Sequence, residues 1–154
     1  MRVAAAQLST AATIDEAAHQ LGALAKTCGD CHTMLGRPWR AIEAARGQAS
    51  GVQPTMIRHE WAVSQMWEGL VVPSEDAWKA GALGLSEEPM SPEALTPGKT
   101  PLPRVGALQD AVHDLGRRAQ SASKVDARVK LYGDAMATCA ECHGWLGGGP
   151  HGGG

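Results

Sequence analysis

Apolar residues return at steps of three and four along four stretches of the chain, the period of a helix with one buried face. Over 13–35 the stripe is Ile14, Ala18, Leu21, Ala25, Cys28, His32 and Leu35. Over 54–71 it is Met56, His59, Val63, Met66, Trp67 and Leu70, and over 104–121 it is Val105, Leu108, Val112, Leu115 and Ala119. The last, over 124–145, carries Val125, Val129, Tyr132, Met136, Cys139 and His143, with Leu146 just beyond. No strand-like alternation competes. The pattern predicts an all-α fold, a four-helix bundle.

The stretches between are punctuated. GRPWRAIEAARGQASGVQP separates the first two helices and predicts a short helix at 39–46, ended by Gly47. Residues 72–103 carry six prolines and predict a long crossover loop, since proline inside a helix removes a hydrogen bond and clashes with the preceding turn. Helical turns are expected within it at SEDAWKAGAL, where Ser74 can cap, and at SPEAL, where Pro92 suits the first helical position. The chain ends GGGPHGGG, so residues 1–146 read as one helical domain and 147–154 as a flexible glycine-rich tail.

The first and last helices share a repeat. LGALAKTCGDCHTMLG lies on YGDAMATCAECHGWLG without a gap, matching a glycine, a threonine, both cysteines, the histidine, a leucine and the closing glycine.

Composition narrows the picture. The 44% apolar fraction rests largely on alanine, with no phenylalanine, one tyrosine and five tryptophans. Interiors pack to crystal-like density, so such small side chains imply close helix contact or a large apolar group filling the gap. A formal charge of -2 offers no basic stripe for nucleic acid. No run approaches the roughly 18 apolar residues of a membrane span. The opening MRVAAAQLSTAATIDEAA is too weakly apolar for a secretory signal, so if the protein is exported its signal is absent from this sequence.

All four cysteines fall in two motifs, CGDCH at 28–32 and CAECH at 139–143. Cys-x-x-Cys-His is the attachment sequence of c-type haem: two thiols reach the vinyl groups of one porphyrin and the histidine becomes the proximal iron ligand. A four-cysteine zinc site would bring its pairs together across about 15–20 residues, far fewer than the 107 found here. A redox dithiol belongs at a helix start, where the dipole lowers the thiol pKa, and these pairs fall near helix ends. Disulfides leave the two histidines unexplained. The motifs predict two covalent haems, held by Cys28, Cys31, Cys139 and Cys142 with His32 and His143 on the irons.

Both repeats, most clearly YGDAMATCAECHGWLG, resemble the last helix of cytochrome c-prime and its low-spin relatives. These are four-helix bundles with Cys-x-x-Cys-His near the end of the final helix. One haem is usual in that family, so the site on the first helix is a departure from its pattern. The resemblance implies the same roles for Cys28, Cys31, His32, Cys139, Cys142 and His143.

The sixth ligand decides whether an iron passes electrons or binds small molecules. His59 sits in an apolar stripe; if the first two long helices are antiparallel neighbours, it meets the end of the first and is the distal ligand of haem 1. His113 lies about 120° from the centre of its helix's stripe, which favours solvent, but Gly106 and Gly116 would let a flat macrocycle approach. It is the candidate distal ligand of haem 2. His19 reads as a surface residue and His151 as part of the tail. Met56 and Met66 are sulfur alternatives more simply read as core filling, Met136 packs near haem 2, and the tryptophans read as packing.

The expectation is a dihaem c-type cytochrome without enzymatic activity, passing single electrons between redox partner proteins in a periplasmic or otherwise extracytoplasmic space. The alternative is a gas-binding or sensor cytochrome in which haem 2 is five-coordinate. A small peroxidase has no convincing distal acid–base pair to support it.

Overall fold

The computed structural model describes residues 1–36, 51–87, 90–96, 100 and 102–147. Among them there is no strand. The helices are α1 (Arg2–Ser9), α2 (Ile14–Leu35), α3 (Val52–Val71), α4 (Glu75–Leu85), α5 (Pro92–Leu95), α6 (Pro103–Gln120) and α7 (Val125–Leu146). The helix expected at 39–46, Trp39, His151 and the tail after Gly147 lie outside the described residues.

Caps explain why the long helices start and stop where the pattern predicts. Thr13 Oγ1 accepts from Glu16 N at 3.1 Å, and the Glu16 carboxylate accepts from Ala12 N at 2.9 Å, a reciprocal cap on the first turn of α2. At the other end Gly36 takes the left-handed conformation, φ 59°, and Gly147 does the same after α7, φ 66°. The repeat therefore spans whole helices: α2 and α7 each run 22 residues from an extended cap residue to a left-handed glycine.

The two copies pack antiparallel. A Cβ on Gly22 would stand 2.8 Å from the Val129 carbonyl oxygen, and one on Gly133 would stand 3.0 Å from the Cα of His19, so only glycine permits this crossing. The attachment motifs consequently lie at opposite ends of the molecule.

The remaining helices form a ring with this pair. α3 and α4 make an antiparallel hairpin, α4 packs on α6, α6 on α7, and α3 on α2. Trp78 at the centre is fully buried, and its Nε1–H donates to the Ala119 carbonyl at 2.9 Å. Around it lie Met66, Leu70 and Leu85 with fully buried alanines at 62, 82 and 119. Close helix contact is thus one answer to the small side chains.

Two elements depart from expectation. The stretch 72–103 is not chiefly a loop, because α4 is a three-turn core helix; its prolines stand on either side of Glu75–Leu85 and none within it. Trp78, Ala82 and Leu85 give it a buried stripe of its own. α1, which packs on α2, carries mostly exposed small residues and so no stripe to read. No helix among the described residues is long and apolar enough to cross a membrane.

His19, expected at the surface, bridges the two copies. Its Nδ1 faces the Asp15 carbonyl at 2.8 Å and its Nε2 faces Asp134 Oδ1 at 2.9 Å. Both partners only accept, so the doubly protonated ring satisfies both. The bond to Asp134, then that to Asp15, raises the His19 pKa. Burial pushes Asp134 upward, but Lys130 and His19 outweigh it and hold the carboxyl below its usual range. The histidine's contribution is complete below its ordinary pKa and lost as pH rises through the raised one. The carboxylate's is complete above its ordinary pKa and lost as pH falls through the lowered one. Denaturant unfolding of the wild type and His19→Gln therefore shows the larger stability difference at about pH 5 and a smaller one at about pH 8.

Candidate functional site

Helical spacing places the two cysteines of each motif on one face, since residues three apart are surface neighbours, and puts the histidine one position further round. All four thiols are free. With the pairs at opposite ends of antiparallel helices, no single zinc site can collect them.

At the first motif, Cys31 is exposed and Cys28 half-buried. His32 Nδ1 donates to the Val71 carbonyl oxygen at 2.7 Å. A carbonyl only accepts, so this bond fixes the proton on Nδ1 and the lone pair of the neutral ring on Nε2, the arrangement found in metal-ligating histidines. Gly29 makes the contact possible: a Cβ there would stand 2.2 Å from the Leu70 carbonyl oxygen. Beyond it the helix projects past its neighbours, with Met34 87% and Leu35 64% exposed.

These contacts overturn the expected placement of His59. The end of α2 meets the end of α3, not its start, so the two helices run parallel. Antiparallel neighbours follow from short connections, whereas residues 37–50 span enough chain, at about 3.3 Å each, to return over the roughly 30 Å of α3. His59, near the start of α3, stands instead at the opposite end of the bundle beside Cys139 and His143.

The second motif borders a cavity. A cavity of about 500 Å³ is lined by Met56, His59, Val63, Met136, Cys139 and His143 among others. A narrower gap runs from Met56, His59, Cys139 and His143 on to Leu95, Val112 and Leu146. Burial pushes the Cys139 thiol up to about 11, with Cys142 adding to it, and burial followed by Glu141 raises Cys142. Neither resembles an activated redox dithiol, whose pKa falls. Burial lowers His59 to about 4, helped by His113, Arg58 and His143. The ring is therefore neutral at pH 7, the form that binds a metal.

His113 is not on the solvent side: it is 1% exposed. α6 is covered by α4 as well as α7, so the arc beside its apolar stripe is buried too. Its ring lies 5.2 Å from that of His59, edge-on at 67°. It lines neither cavity that holds Cys139 and His143, and stands behind His59. The glycine face that might have received a macrocycle is occupied by protein, since a Cβ on Gly116 would meet Ser86 N at 2.6 Å. Both ring nitrogens of His113 are buried without a hydrogen bond.

Of the other candidates, Met66 is core, packed against Gly81 of α4, and Met56 and Met136 line the larger cavity. Trp67 packs on Tyr132 and Trp145 is exposed. Sequence gave no sign of the Val71 carbonyl, because its role is a backbone one. The residues present fit a covalent haem at each motif: cysteine pairs on one face, His32 fixed in the ligating tautomer, and a cavity joining His143 to a neutral His59. No protein-family model, curated protein or solved structure matches the chain.

Proposed function

We propose that this chain is a dihaem c-type cytochrome that carries single electrons between redox partner proteins in an extracytoplasmic space, and is not an enzyme. The observation that carries the reading is a helix duplicated from cap to cap, each copy ending in Cys-x-x-Cys-His. Haem iron, when bound, supplies a reversible one-electron change. In this reading Cys28 and Cys31 tether one group and Cys139 and Cys142 the other, with His32 and His143 as proximal ligands. α2, α3, α6 and α7 are the frame of a four-helix bundle of the cytochrome c-prime kind, with α4 inserted between α3 and α6.

The distal sides differ. His59 faces the second motif from across the cavity and is the sixth ligand there. His113 lies behind it and is not a ligand. The first motif has no second histidine among the described residues, because His19 is held at the helix crossing, about 20 Å along α2 from His32. The gas-binding alternative therefore attaches to the first haem and no longer to the second.

Expression in a host that attaches c-type haem gives a mass of the polypeptide plus two haems. Changing Cys28 and Cys31 to serine removes one, changing Cys139 and Cys142 removes the other, and a mass equal to the bare chain sinks the proposal.

The visible and near-infrared spectra separate the two sites. His59→Ala converts the second haem from low-spin to high-spin and leaves the first as it was, whereas His19→Ala changes neither.

The motifs stand roughly 30 Å apart along the bundle, so charge on one is nearly invisible to the other. In redox titrations each haem is an independent one-electron centre. Deleting one motif shifts the remaining midpoint by no more than on the order of 20 mV, and a shift near 100 mV would show that the sites are coupled.

A further inference from the structure

We infer that His113 is a positioning residue for His59, accepting a hydrogen bond from the ring nitrogen that His59 turns away from the second motif. The inference rests on the proposed haem at that motif. A metal-ligating histidine almost always donates its other ring N–H to a fixed acceptor, which sets the ring's orientation and basicity. For His32 that acceptor is the Val71 carbonyl. Among the described residues no backbone carbonyl accepts from His59; what lies against its ring is the ring of His113, 5.2 Å away and edge-to-face.

Burying a polar group without a partner costs about 1–3 kcal/mol, so an orphaned imidazole at the centre of a helix contact calls for an explanation. His113 has two such nitrogens and almost no exposure. A neutral imidazole has one donor and one acceptor. The Leu85 carbonyl lies near enough to favour an N–H pointing toward it, although the bond is not formed. Leu85 ends α4, where carbonyls run out of intrahelical donors. With the proton on that side, the other nitrogen is an acceptor available to His59. The chain then runs from His59 N–H to His113, and from His113 N–H to Leu85 O. A small rotation of two rings already in contact completes it. Gly116 holds the far end in place by letting Leu85 and Ser86 approach α6.

Donating its N–H to an acceptor makes a ligating imidazole a stronger electron donor to the iron and favours the oxidised form; removing the acceptor favours the reduced form. The test uses the holoprotein carrying Cys28→Ser and Cys31→Ser, so that only the second haem reports. With His113→Leu, the haem stays low-spin and the ratio of reduced to oxidised at a fixed ambient potential rises roughly five-fold, the value of one hydrogen bond. His113→Gln, which keeps an acceptor, stays within about two-fold of the parent. Thermal stability of the leucine variant is lower, because the His59 N–H and the Leu85 carbonyl lose their partner. His113→Met gives the same shift and serves if the leucine variant does not fold.

A reduced fraction unchanged in both apolar variants overturns the inference. So does loss of the low-spin spectrum in His113→Leu with its retention in His59→Ala, which makes His113 the ligand. A parent whose second haem is high-spin overturns the His59 assignment beneath it, and a parent without haem overturns the cytochrome reading itself.

Discussion

Two copies of one helix packed antiparallel must carry their identical ends to opposite ends of the molecule, and the rest of the structure follows from that pairing. The crossing is made by Gly22 against the Val129 backbone and Gly133 against His19, so the axes approach more closely than any side chain would permit. His19 and Asp134 then fix the register with a charge-assisted bond. A parallel pairing would have brought four cysteines and two histidines together and made one metal site conceivable. The observed one makes two separate sites unavoidable. In the proposed reading the chain holds two electrons at two addresses and is not a wire between them.

Helix bounds were legible because their causes are local. Apolar steps of three and four place α2, α3, α6 and α7 within a residue or two, and local caps sharpen some ends: a threonine with glutamate three residues on at the start of α2, and a left-handed glycine after α2 and after α7. What could not be read depends on partners distant in sequence. The direction of α3 against α2 turns on a connection long enough for either sense. The burial of His113 follows from α4 covering an arc of α6 that looks polar on a wheel, being flanked by Gln109, Asp110 and Arg117. α4 is marked in the sequence by its cap Ser74, but its proline-rich surroundings hide that it is a core helix of three turns. These differences share one consequence: His59 and His113, expected at separate ends, lie at the same one.

That convergence changes how the two motifs compare. Their sequences are nearly interchangeable, but α7 ends between α3 and α6 with Leu95 beside it, whereas α2 ends past the end of α3. The second cysteine of the motif is consequently half-buried in one copy, Cys142, and exposed in the other, Cys31, while burial pushes Cys139 up to about 11. The repeat supplies the same residue types at both ends, and packing makes their surroundings different.

Unequal surroundings bear directly on redox chemistry. A buried site of low dielectric disfavours net charge on the metal centre, which raises its potential, while a second imidazole stabilises the oxidised iron and lowers it. In the proposed reading both act at the second motif, in opposite senses, and His113 adds to the lowering by strengthening His59 as a donor to the iron. At the first motif Cys31 is exposed and the described residues supply no second imidazole. Two haems held there would differ through distinct causes: a lined cavity and the His59–His113 pair at one end, and a more exposed cysteine pair without a second described histidine at the other. Identical Cys-x-x-Cys-His segments carry no information about this difference. It is written in α3, α4 and α6, the parts of the chain outside the repeat.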